Sequence, residues 1–168
     1  MKLNHQLIIS FLLIGFLAIF NVNCTQKKKQ LNIIIFVADD LGYGDLGSYG
    51  CTDIQTPNID KLAKQGVRFT NFYTNGPECT PTRVALLTGR YQQRAGGLEC
   101  ALGAGNVGRY DEAIWLSEQK ELGLPVSENS LVQTVKRVGY ETAMFGKWHL
   151  GYEKKFRPNK QGFDYSFG

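Results

Sequence analysis

Apolar runs of two kinds punctuate the chain. The first, Leu7 to Phe20 (LIISFLLIGFLAIF), is almost unbroken for 14 residues and follows Lys2. That length suits the core of an export signal and is short for a membrane span. The second kind is shorter and recurs. Leu31 to Ala38 (LNIIIFVA) is rich in branched residues and stops sharply at Asp39-Asp40. A run of this length, so bounded, predicts a buried parallel strand rather than a helix. Val67 to Tyr73 (VRFTNFY) alternates and predicts a second strand, and Tyr140 to Phe145 (YETAMF) predicts another.

Helical signals fall between these runs. Pro57 stands where a helix starts and Gly66 where one ends, with Ile59, Leu62 and Ala63 on one side. Asn75-Gly76-Pro77 marks a turn. A helix then starts around Cys79, with Pro81 in its first turn, Val84 to Leu87 as its core anchor and Gly89 as its end. The Gly-rich stretch from Tyr91 to Gly108 predicts a loop lining a substrate entrance. Asp111 to Leu122 predicts a short helix in which Trp115 packs rather than stacks on a ligand. Ser127 is the expected cap of a helix holding Leu131, Val132, Val135 and Val138, ended by Gly139. Strand, helix, strand is βαβ order, hence an α/β class.

Length allows about one domain. Hydrophobic residues make up 43% and charged residues 20%, which excludes disordered and collagen-like classes. The net charge of +4 comes entirely from Lys2 and Lys27 to Lys29, because residues 31–168 balance 15 basic against 15 acidic side chains. The folded part is neutral, so the basic pI is no argument for a nucleic-acid partner. The ends divide as 1–23, a signal peptide of plain or lipoprotein type, and 24–30, a basic linker. Cys24 is the residue a lipoprotein signal would lipidate, although Asn21-Val22-Asn23 fits the usual pattern before such a cysteine poorly. The expected location is outside the cytoplasm: periplasmic, secreted or lipid-anchored at a bacterial cell envelope, with the membrane met only through signal or lipid. No metal-binding C-x-x-C pattern is present. Cys51 and Cys100 read equally as a disulfide pair or as two small apolar residues.

Three places carry chemistry. Asp39 and Asp40 end the first predicted strand, at the sheet edge where α/β proteins bind ligands. Adjacent carboxylates repel, and a hard divalent cation is a natural counter-charge. A capped turn with two solvated acids is the equal alternative. Cys79 and Arg83 are four residues apart, on one face of a helix, beside its positive N-terminal end. A nucleophile beside a fixed cation suits an oxyanion substrate. Lys147 and His149 alternate by two, so an extended segment points both the same way.

Cys79-Thr80-Pro81-Thr82-Arg83, with Leu87-Thr88-Gly89-Arg90 closing the segment, resembles the signature of the sulfatase family at every defined position. Gly146-Lys147-Trp148-His149-Leu150-Gly151 resembles the family's second motif, and Gly162 to Gly168 its continuation. The resemblance implies an alkaline phosphatase-like three-layer α/β sandwich with a mostly parallel sheet. It also implies that a maturing enzyme, formylglycine-generating or anaerobic, oxidises Cys79 to formylglycine. The activity implied is hydrolysis of a sulfate ester, in a sulfated small molecule or polysaccharide, to alcohol and sulfate. Asp39, Asp40 and matured Cys79 would hold Ca²⁺, or alternatively Mg²⁺. Arg83 and Lys147 would offset charge on the sulfate, and His149 would move a proton or hold the diol.

The resemblance covers residues 31–168, the N-terminal part of the family's catalytic domain. Further metal ligands, a second histidine and a second lysine belong to segments absent here. The expectation is a truncated piece that exposes apolar sheet surface and is inactive alone. An inactive remnant serving at most as a binding module, and a phosphoester or phosphonate hydrolase of the same superfamily, are the alternative functions.

Overall fold

The computed structural model describes residues 30–103 and 111–168. The expected signal peptide and Cys24 lie outside the described residues. The chain divides into two units, Met1–Ala38 and Asp39–Gly168. No helix among the described residues is long and apolar enough to cross a membrane.

In the first unit, Leu31 to Ala38 forms no strand, against expectation. Phe36 is 88% exposed and Ile34 75%. A parallel strand exists only through neighbours on its edges. The apolar pattern specifies faces that bury but cannot supply the partner.

The second unit carries the regular structure. Helix α1 (Pro57–Gln65) begins at its proline, and Gly66 donates its N–H to the Leu62 carbonyl, as expected. The strand expected over 67–73 does not form. The Tyr49 and Tyr43 hydroxyls donate to the carbonyls of Phe69 and Thr70, at 2.6 and 3.0 Å, so these acceptors serve side chains rather than a ladder. Helix α2 (Cys79–Thr88) ends at Gly89, whose φ of 65° is the left-handed conformation that favours glycine. Helix α3 (Asp111–Glu118) is shorter than expected, and Trp115 is mostly exposed.

Helix α4 (Leu131–Arg137) is capped by Ser130, not Ser127. Residues 126–128 turn first, and extended Ser130 then accepts the Gln133 N–H at 3.2 Å. Gly139, at φ 92°, donates to the Lys136 carbonyl and stops the helix as expected. The strand expected over 140–145 narrows to β1 (Ala143–Phe145). It pairs in parallel with β2 (Tyr165–Phe167), Met144 opposite Ser166. The α/β reading with parallel pairing therefore holds. The ladder also exposes apolar side chains, with Phe145 and Phe167 each about 70% accessible.

The core sits between α2 and the loops that follow. Val84, Ala95, Leu98, Leu102, Leu124 and Leu150 cluster there, with Leu87, Leu122 and Trp148 packed around them. Each fully buried leucine contributes about 1.5–3 kcal/mol relative to exposure. The Leu124 N–H donates to the Leu150 carbonyl at 2.8 Å, next to an antiparallel bridge between Gly123 and Gly151. This packing ties the Lys147-to-Gly151 segment to helix α2. Cys51 and Cys100 form no disulfide with each other.

Candidate active site

Helix α2 presents Cys79 and Arg83 one turn apart, and both reach Asp39. The Cys79 Sγ lies 3.4 Å from Asp39 Oδ1, and the Arg83 guanidinium 3.6 Å from the same oxygen. Arg83 also donates to the Lys147 carbonyl. Gly146, at φ 94°, turns the chain out of β1 and delivers Lys147. Its ammonium lies 2.8 Å from Asp39 Oδ2 and 3.0 Å from the Cys79 Sγ. Four of the residues singled out in the sequence thus gather at one point: Asp39, Cys79, Arg83 and Lys147.

The charges are complementary. The hydrogen bond from Lys147 is the main reason the Asp39 carboxyl is held below its ordinary range, followed by the contact with Cys79. The same bond from the other side raises Lys147. Both side chains are more than two-fifths exposed, so solvent screens the pair, whereas the Arg83 side chain is largely buried. Two cations against the Asp39 carboxylate, beside the Cys79 thiol, leave positive charge for an anion.

His149 is placed differently. Its φ is 59°, so the Lys147-to-His149 stretch is not extended and the alternation does not hold. Its Nε2 bonds the Leu102 carbonyl, and its buried Nδ1 has no partner among the described residues. The Tyr152 hydroxyl donates to the same carbonyl at 3.2 Å. Trp148 is structural: its indole N–H donates to the Phe156 carbonyl at 2.8 Å and its ring meets Phe163 edge-on.

Asp40 also adopts a left-handed conformation, φ 57°. Asp39 and Asp40 supply hard oxygen donors of the kind Ca²⁺ or Mg²⁺ takes, but such ions need about six or more ligands. Among the described residues no three or more His, Cys, Asp or Glu side chains group around a common point. The donors are right in kind, and Lys147 is the cation paired with Asp39.

The sequence signals no structural role for Thr80, beyond its place in the signature, or for Glu78. The Thr80 hydroxyl donates to the His149 carbonyl at 2.9 Å and accepts the Leu102 N–H at 3.1 Å. The Glu78 carboxylate accepts the Ala101 N–H. All three bonds span more than 20 residues of sequence, and no local pattern signals them.

The Sulfatase family profile matches residues 31–168. The chain belongs to the sulfatase family. It is 40% identical over 149 residues to arylsulfatase G of Mus musculus, covering 89% of this chain and 26% of that protein. Against N-acetylgalactosamine-6-sulfatase of Homo sapiens it is 42% identical over 137 residues, covering 82% and 25%. The crystal structure of Ps i-CgsB superposes with a TM-score of 0.65 at 40% identity, covering 78% of this chain and 26% of that one. A second structure of Ps i-CgsB holds k-i-k-neocarrahexaose. This sulfatase-family chain thus spans about a quarter of the length of the curated relatives it matches. Its fold is the N-terminal part of the alkaline-phosphatase-like α/β architecture.

Proposed function

We propose that the chain carries the nucleophile half of a sulfuric ester hydrolase that acts on a sulfated saccharide. The gathering of Cys79, Arg83 and Lys147 around Asp39 carries this reading. Family membership supports the reaction class. The oligosaccharide held by Ps i-CgsB and the name of the human relative support the substrate class.

The nucleophile in this reading is not the thiol but the hydrated aldehyde made from Cys79 by a maturing enzyme. One hydroxyl of this diol attacks sulfur, forming an O–S bond as the S–O bond to the substrate alcohol breaks. The alcohol leaves with a proton. The second hydroxyl then gives up its proton, the C–O bond to sulfate breaks, and sulfate departs as the aldehyde re-forms. Water hydrates the aldehyde for the next cycle. Arg83 and Lys147 stand beside the nucleophile, where negative charge collects on the sulfate oxygens. His149 moves the diol proton. Asp39 and Asp40, with matured Cys79, would hold Ca²⁺ or Mg²⁺, which supplies polarisation of the sulfate.

The apolar run over 7–20 supports an exported protein, which intact-mass analysis of the mature N-terminus tests. The function is tested by co-expression with a formylglycine-generating enzyme. The Cys79 peptide should lose the mass of the thiol for that of the aldehyde. Sulfate should then be released from a sulfated oligosaccharide, against the expectation of a piece inactive alone. A Cys79 peptide that keeps its thiol, or a matured protein that releases no sulfate, overturns the reading.

A further inference from the structure

Thr80 directly follows the candidate nucleophile, and the chemistry proposed above does not use it. Its side chain is wholly buried. Its hydroxyl closes a ring of three hydrogen bonds. It donates to the His149 carbonyl and accepts the Leu102 N–H. The His149 ring closes the circuit, with Nε2 on the Leu102 carbonyl.

Two consequences follow from chemistry alone. A carbonyl only accepts, so His149 Nε2 must carry the hydrogen, and in the neutral ring Nδ1 is then the bare lone pair. Among the described residues that nitrogen is buried without a partner. A non-glycine residue at φ 59° persists only where its surroundings over-determine it, and here the Thr80 hydroxyl grips the carbonyl of that very residue.

We infer that Thr80 is a positioning residue, whose buried hydroxyl locks the His149 turn to the Leu102 loop so that the imidazole presents Nδ1 as its basic nitrogen. Its effect on turnover rests on the proposed role of His149. The tautomer does not, so the two can fail separately.

The full chain holds two histidines, His5 and His149. Long-range proton–nitrogen NMR of the histidine-labelled chain, assigned with His5→Gln, reads which ring nitrogen of His149 carries the hydrogen when the ring is neutral. The wild type should show the Nε2–H form alone. Thr80→Val should populate both forms, and Thr80→Ser should restore the wild-type pattern. In matured enzyme, Thr80→Val should lower kcat for sulfate release roughly 30- to 100-fold with KM within about twofold, and Thr80→Ser should recover most of it. Mass analysis of the Cys79 peptide separates this effect from failed maturation. A wild-type Nδ1–H ring overturns the inference even if Thr80→Val does not fold. So does a Thr80→Val chain with an unchanged tautomer. A wild type that matures but releases no sulfate overturns the proposed function, and the tautomer then decides the role of Thr80.

Discussion

The Lys147 ammonium bridges the Asp39 carboxylate, at 2.8 Å, and the Cys79 sulfur, at 3.0 Å. These three residues come from the start of the second unit, the first turn of α2 and the turn after β1, more than 100 positions apart at the extremes. The parallel pair β1–β2 and the core around Leu98 and Leu150 hold them together.

Lys147 should therefore matter to turnover beyond its worth to stability. Removing one preorganised charge donor at a developing anion typically costs 10²- to 10³-fold in kcat. Lys147→Ala in matured enzyme is expected to fall in that range while its thermal midpoint stays close to wild type, because the pair is solvent-exposed. Initial rates of sulfate release check it, and a loss below tenfold would count against the role.

Acid should loosen the starts of β1 and β2 where Asp164 joins them. Its carboxyl is held at about 2, first by the Lys136 ammonium at 2.6 Å, then by the Thr142 N–H and hydroxyl, both at 2.9 Å. A carboxyl depressed on folding stabilises the fold above its unfolded value of about 4, and the contribution is lost as pH falls through the folded value. Denaturant midpoints measured between pH 5 and about 2 should fall more steeply for wild type than for Asp164→Asn. Parallel slopes would sink the assignment.

How far the sequence could be read depended on the range of the interaction. Pro57, Gly66, Gly89 and Gly139 act on their own backbone, and the helix ends they predict are present. The one-turn spacing of Cys79 and Arg83 is likewise local, and both meet Asp39. The strands expected at 31–38 and 67–73 depend on partners elsewhere, and neither forms. At Phe69 and Thr70 the competing donors are tyrosines about 20 or more residues away. His149 departs from simple alternation for the same reason, because Leu102 and Thr80 set its conformation from a distance.

The cap of α4 separates two serines three residues apart. Ser130 is 1% exposed and accepts the Gln133 N–H, so Ser130→Ala should destabilise the protein by about 0.5–2 kcal/mol. Ser127 lies in the preceding turn, and Ser127→Ala should change stability by no more than about 0.5 kcal/mol. Urea unfolding of both variants checks the pair, and the reverse ranking would return the cap to Ser127.

Gly151 closes the Lys147 segment against the core, and the space there admits no side chain. Its φ is 120°, and a Cβ would lie 2.7 Å from the Phe156 Cβ and 2.9 Å from the Gly123 Cα. Backbone strain and overpacking each cost about 1–3 kcal/mol, and Gly151→Ala should incur both. Gly89 is the control. It too has positive φ, at 65°, but nothing lies within 4 Å of its Cβ position, so Gly89→Ala meets strain without overpacking. Gly151→Ala is therefore expected to unfold at a clearly lower urea midpoint than Gly89→Ala. Because Leu150 packs in the core next to it, the same substitution should also displace His149, two residues back, and reduce kcat in matured enzyme. Equal midpoints for the two variants would mean that the Gly123–Gly151 contact is looser than the structure has it.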